Sequence, residues 1–368
     1  MAANLCRYIF RNRAIIDWTI DQTADKKPRG RIYKVLRIAV AQIIEKQLPE
    51  ALVCDTTVRF CKNKFNHFEA SYVNQFLRKL TSQPLPVPTP KIALCLSPEI
   101  SRQWNKTFTK EQIVEWAGVL KTPPVLTARQ PLNETDVSDL EPFLKPLDLP
   151  DWAAGYKFFT VEKPRDFIEN NNGRIYIQDP ATIAAVKMLD PQEGEVIADL
   201  CSAPGGKSRL IAEALKGTGQ LFACDSSAKR LTTVEANLKG FDNVTILKNN
   251  ACNSDLKARS FDAILLDVPC SNSGVIRRKP DVRWTFNRQN LKDLNELQLD
   301  ILTDAVRLLK PGGRIIYSTC SIDPQENEQV VDSFLKFHPN ASVAESQTLY
   351  PALTHDGSHA TKIVFSEK

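Results

Sequence analysis

The apolar positions of the chain change their period twice. Between residues 7 and 80 they recur at steps of three and four. In RIYKVLRIAVAQIIEKQL, Ile32, Leu36, Val40 and Ile43 form one stripe, and FEASYVNQFLRKL carries another. That spacing predicts helices packed face to face. TSQPLPVPTPK (81–91) then places four prolines in eleven residues and reads as a linker. Beyond it, EISRQW and KEQIVEWAGVL have helical spacing and KTPPVLTARQPL is broken by proline, so residues 92–178 are assigned to a small α+β module.

From about residue 180 short apolar runs alternate with amphipathic stretches: EVIADL, a helix over 206–216, QLFACD, a helix over 226–239, VTILK, FDAILLD, a helix over 288–309, GRIIYSTCS and a helix over 324–337. This alternation predicts an α/β fold, a doubly wound Rossmann-like sheet with helices on both faces. The expected layout is a helical domain at 1–82, a linker at 83–91, the small module at 92–178 and the α/β domain at 179–368. Ligands of such sheets bind beyond the carboxyl ends of the strands, where strand order reverses.

Composition narrows the class. A chain of 368 residues, 42% hydrophobic, can build two or three cores. The absence of an eighteen-residue apolar run or leader-like start predicts a soluble, cytoplasmic protein with no membrane partner. Nine cysteines without a CxxC pair, and four scattered histidines, predict neither a disulfide framework nor a metal site. Net charge is +5, and residues 1–90 contribute fifteen Lys/Arg against seven Asp/Glu. A basic helical front on a near-neutral body suits a polyanion partner, although a solvated helical surface explains the charge equally well.

The stretch DLCSAPGGKS (199–208) resembles a phosphate loop but has Cys201 where GxxxxGK[ST] needs its first glycine, and GxGxxG is absent too. What remains is a tight turn of small residues, Cys201, Ser202, Ala203, Pro204, Gly205, Gly206 and Lys207, that lets backbone approach a ligand closely. Asp225, ending the next strand, can bind ribose hydroxyls. A nucleoside cofactor without a triphosphate fits best, S-adenosylmethionine being the candidate. Two further strands end beside cysteines: FDAILLD runs into DVPCSNSG with Cys270, and GRIIYSTCS contains Cys320.

DLCSAPGGKS, LLDVPCSNSGVIRRKPDVRW and YSTCSIDPQENE together resemble the signature motifs of the Sun/RsmB-like family of RNA 5-methylcytosine methyltransferases. The basic helical front resembles the NusB-like domain of its bacterial ribosomal RNA members, and LSPEISRQW their connecting region. The resemblance implies that Cys320 attacks the base, that Cys270 assists product release, and that Lys207 lies in the cofactor loop. DNA enzymes of the same chemistry use the cysteine of their PC motif, so the two roles could be exchanged. Asn250 stands where the family has a carboxylate near the adenine; an amide can still bond that edge. HDGSHATKIVF lacks the aromatic pair often seen after Asp-Gly, which leaves the last hairpin's role open.

The chemistry supports the resemblance. Carbon 5 of cytosine is a poor nucleophile until a thiolate adds at carbon 6, and release of the product then calls for a second group. Asp267, closing its strand beside Cys270, can hydrogen-bond the cytosine edge. Arg277, Arg278, Lys279, Arg283 and Trp284, just beyond Cys270, are the residues expected to grip RNA by phosphate pairing and stacking. The target base must be unpaired or swung out of its helix. The expected activity is S-adenosylmethionine-dependent cytosine-5 methylation of ribosomal RNA, 16S in particular, by a monomer. Competing readings are a catalytically silent RNA-binding assembly factor, which would need neither thiol, and a DNA cytosine methyltransferase.

Overall fold

The computed structural model describes residues 2–133 and 136–366. The chain forms two compact units: one holds the residues up to Thr122 together with Arg283–Thr285, the other Pro123–Val282 and the chain from Phe286 onward.

In the helical unit, Ala2–Thr23, Gly30–Glu45, Glu50–Lys64 and His67–Thr81 share one core. Leu36, Val40 and Ile43 of the first stripe are buried there against Ile16, Ile20, Val53, Val73 and Leu77, with Ile32 at its margin. The fourth helix begins with a capping box: the Asn66 side chain accepts the Glu69 N–H while the Glu69 carboxylate accepts the Asn66 N–H. Pro98–Trp104 and Lys110–Lys121, expected in the connecting module, also belong to this unit. Their aromatic residues pack edge-on, with Trp116 at 4.9 Å from Phe108 and 6.2 Å from Trp104. The basic excess is partly spent on ion pairs, among them Arg37–Asp17, Lys79–Asp25 and Arg31–Glu69.

The second unit opens with a small antiparallel sheet. Its strands β1 (Thr127–Arg129), β2 (Leu144–Pro146), β3 (Phe158–Val161) and β4 (Tyr176–Ile177) lie in the order β2-β3-β1-β4. Arg129 on β1 is fully buried and holds the equally buried Glu213 at 2.8 Å. The pairing offsets the cost of taking both charges out of water.

The large sheet contains β5 (Val196–Asp199), β6 (Gln220–Asp225), β7 (Val244–Lys248), β8 (Phe261–Asp267), β9 (Leu309–Thr319), β10 (Ala341–Leu349) and β11 (Ser358–Phe365), ordered β10-β11-β9-β8-β5-β6-β7. β5 to β9 pair in parallel, whereas β11 runs antiparallel to both β9 and β10. Successive residues point to opposite faces. Leu265 and Ile316 enter one core, while Leu266 and Ile315 enter the other, with Tyr317 and Phe334. Helices Gly206–Ala214, Ala228–Leu238, Arg288–Val306 and Glu328–Leu335 connect the strands, within a few residues of the expected bounds. Strand order reverses between β5 and β8. The loops after those two strands therefore share the crevice where this fold binds ligands.

Candidate active site

Four strands end on a chemical group at this edge. β5 ends on Asp199, β6 on Asp225 and β8 on Asp267, and Cys320 directly follows β9. After β5 the chain turns through Cys201–Pro204 to Gly205, whose φ of 108° suits glycine, and enters the helix at Gly206. Asp199 lies beneath this turn and accepts the Ser208 Oγ–H at 2.6 Å. Burial, reinforced by the nearby Asp267, pushes its carboxyl up to about 7.

A cavity of about 440 Å³ opens beside the turn, lined by Leu200, Cys201, Ala203, Pro204, Asp225, Asn250, Ala251, Asp267, Cys270 and Cys320 among others. The buried Asp225 carboxylate is held by the Ser227 N–H at 2.8 Å and by Arg230, also at 2.8 Å. Asn250, exposed on the next loop, accepts the Cys252 N–H at 3.2 Å. A carboxylate for ribose, apolar walls for a base and a glycine turn for close backbone approach form a donor set that fits an adenosyl group. Lys207 points toward Asp267, 2.7 Å away, and this ion pair raises the lysine against the opposing effect of burial.

Two thiols meet across the cavity. Cys270 Sγ and Cys320 Sγ lie 3.0 Å apart, and Cys320 is also 3.2 Å from Asn272 Oδ1. The bond to Cys320, burial and the charge of Glu326 together push the Cys270 thiol well up, so it stays protonated at neutral pH. Cys201 is likewise pushed up, by burial and by Asp199, Asp267 and Asp225, and serves as a small wall residue.

The structure brings together Cys270, Cys320, Asp267, Lys207, Asp225, Asn250 and the turn Cys201–Gly206, but it distributes the basic stretch differently from expectation. Lys279 alone of the five stays exposed: it lines the thiol cavity and donates to Asn272 Oδ1 at 2.7 Å. Arg278 is anchored between Asp179 and Asp356. Arg277 is buried, its guanidinium donating to the carbonyls of Ala352, Leu353 and Pro123. Arg283 is fully buried in the helical unit, where it donates to the carbonyls of Arg11 and Leu120 at 2.9 Å and Cys95 at 3.1 Å. Its own burial lowers it to about 10. The Trp284 indole donates to the Phe10 carbonyl at 2.7 Å, with Arg13 over its ring. Arg277, Arg283 and Trp284 thus spend side-chain donors on backbone carbonyls within the fold.

The last hairpin also has a place. β10 and β11 extend the sheet, and the turn before β11 closes over the thiol loop: Gly274 N–H donates to Cys320 O at 3.0 Å, and Gly357 N–H to Gly274 O at 2.9 Å. A Cβ on Gly274 would meet Gly357 O at 2.5 Å, so only glycine allows this approach. Asn272, Gln298 and Glu326 also belong to this neighbourhood and do not stand out in the sequence. The one signal for Glu326 is its acidic QENE context directly after the second cysteine motif.

Among the described residues there is no cluster of three or more His, Cys, Asp or Glu placed to hold a metal ion, and no helix long and apolar enough to cross a membrane. Comparisons agree with the geometry. The profile of the 16S rRNA methyltransferase RsmB/F family matches residues 186–367, and that of the NusB family residues 1–82. The chain is 30% identical to the ribosomal RNA small subunit methyltransferase B of Shewanella oneidensis over 91% of its own length and 81% of that protein's. It is 28% identical to a probable ribosomal RNA small subunit methyltransferase B of Bacillus subtilis, over 89% and 78%. A solved methyltransferase homolog from Pyrococcus horikoshii superimposes with a TM-score of 0.59 at 25% identity, covering 73% of this chain and all of that one. The turn, the strand-end carboxylates and these relatives converge on one assignment: the chain belongs to the RsmB/F family of small-subunit ribosomal RNA methyltransferases, whose methyl donor is S-adenosylmethionine.

Proposed function

We propose that this enzyme methylates carbon 5 of a cytosine in small-subunit ribosomal RNA through a covalent adduct on Cys320. The observation that carries this reading is the 3.0 Å contact between Cys270 and Cys320 on the wall of the cavity that Asp225 and Asp267 also line. The Cys270 thiol, pushed well up by its bond to Cys320 and by burial, stays protonated beside the Cys320 sulfur, the one the family resemblance makes the nucleophile. Bound S-adenosylmethionine supplies an electrophilic methyl group on a sulfonium.

The chain's own residues do the rest. The Cys320 thiolate forms a bond to carbon 6, and the ring's π electrons move toward its nitrogen and carbonyl, making carbon 5 nucleophilic. Asp267, fixed by Lys207, accepts from the cytosine amino group and so holds that edge of the ring in place. After carbon 5 is methylated its proton leaves to solvent water, the C5–H electron pair re-forms the carbon 5–carbon 6 double bond, and the carbon 6–sulfur bond breaks with its electron pair returning to Cys320. Cys270, in contact with that sulfur, assists the expulsion. Asp225 and Asn250 hold the adenosyl end, and Lys279, exposed at the cavity, contacts RNA phosphate.

The test uses cofactor labelled in its methyl group and ribosomal RNA from cells lacking the enzyme. Cys320→Ala should transfer nothing. Cys270→Ala should accumulate a protein–RNA adduct that survives denaturation. Full activity of Cys320→Ala would overturn the assignment.

A further inference from the structure

The loops that carry the two thiols are joined from below by a fully buried acid. Glu326 follows Cys320 by six residues and is completely removed from solvent. Its carboxylate accepts the Ser271 N–H at 2.7 Å, the Ser271 hydroxyl, and the Gln298 amide at 3.2 Å. Gln298 spans the same gap, donating also to the Pro269 carbonyl at 2.9 Å. The residues before and after Cys270 are therefore both tied, one directly and one through Gln298, to a single carboxylate. Behind it, the Tyr317 hydroxyl donates to the Glu326 carbonyl at 2.5 Å, which fixes the acid to β9.

A buried carboxylate is costly unless hydrogen bonds to its oxygens offset the lost hydration. Both oxygens are used here as acceptors, a pattern that neither an amide nor an apolar residue reproduces. Resting on the division of labour proposed above, we infer that Glu326 is a positioning residue for product release: acting through Ser271 and Gln298, it holds Cys270 against the sulfur of Cys320. It is not among the residues that line the cavity. Its negative charge also contributes to keeping Cys270 a thiol. A loop displaced by about 1 Å would part the sulfurs while leaving Cys320, on its own strand end, able to attack.

The experiment compares Glu326→Gln, Ser271→Ala, Cys270→Ala and the unaltered full-length protein on ribosomal RNA with labelled cofactor. First-turnover methyl transfer, steady-state turnover and denaturation-resistant adduct are each measured. Glu326→Gln keeps the volume but presents an amide NH₂ to donors. It should leave the first transfer unchanged, slow turnover by about tenfold or more, and accumulate adduct as Cys270→Ala does. Ser271→Ala, which removes only the hydroxyl, should show the same pattern more weakly, and it decides the matter if Glu326→Gln fails to fold. Turnover at the unaltered rate, or equal loss of first transfer and turnover, would overturn the inference. If Cys270→Ala traps adduct and the other two do not, Glu326 is structural and the roles of the thiols survive. If Cys270→Ala traps none, both proposals fall together.

Discussion

Two adjoining stretches, 267–274 and 275–284, differ sharply in what they face. The first follows β8, and its Asp267, Cys270 and Asn272 line the cavity. The second is denser in charge, yet Arg277 and Arg283 are 2% and 0% exposed and spend their donors on carbonyls. The difference teaches that position at a strand's carboxyl end is a better guide to chemistry than charge. A strand end has nowhere to point but the crevice. A basic loop residue can satisfy any carbonyl the fold brings near, and arginine, with five donors, does so readily.

The comparison can be broken at several points. Cys320→Ala should reduce methyl transfer by a factor on the order of a thousand or more, read as label incorporated into ribosomal RNA. Asp267→Asn should cost on the order of a hundredfold in turnover with the fold intact, because the ammonium of Lys207 loses its partner at 2.7 Å. Arg283→Met should act on stability instead. With the three hydrogen bonds of the guanidinium lost from a buried site, thermal unfolding of the helical unit should shift by several degrees, about 2–4 kcal/mol, while RNA affinity of the folded protein is unchanged. A stable Arg283→Met protein with weakened RNA binding would reverse the comparison.

Smaller effects sharpen it. Lys279→Ala should weaken RNA binding a few-fold and lower the slope of log affinity against log salt by about one, as expected for a single phosphate contact. Asp199 gives a pH signature. Its folded carboxyl, held up at about 7, binds a proton that the unfolded chain releases near its ordinary 3.8. The folded state therefore binds more protons, and its stability declines as pH rises from about 4 to about 7. Asp199→Asn should abolish that decline, measured as unfolding midpoints at pH 5 and pH 8.

Much of the sheet was legible in the sequence because burial on both faces writes continuous apolar runs such as FDAILLD, and the helices between them have their own period. The carboxylates and thiols followed from where those runs stop. What escaped depends on contacts distant in the chain. Nothing local in VRW says that Arg283 will meet carbonyls of Arg11, Cys95 and Leu120, nor that the helices at 98–104 and 110–121 join the helical unit and not the small sheet. Arg278 needed Asp179 and Asp356, each at least 78 positions away, to be recognised as anchored. Glu326 is defined by Ser271 and Gln298, which lie 55 and 28 positions away in the chain.

The late arrival of Arg283–Thr285 in the helical unit has a consequence for biosynthesis. The last residue before them in that unit is Thr122, and translation at roughly 5–20 residues per second needs on the order of 8–30 s to cover the stretch between. During that interval the carbonyls of Arg11, Cys95 and Leu120 have no guanidinium to receive. The front of the nascent protein thus lacks these three hydrogen bonds until a residue made after both the cofactor turn and Cys270 has been added.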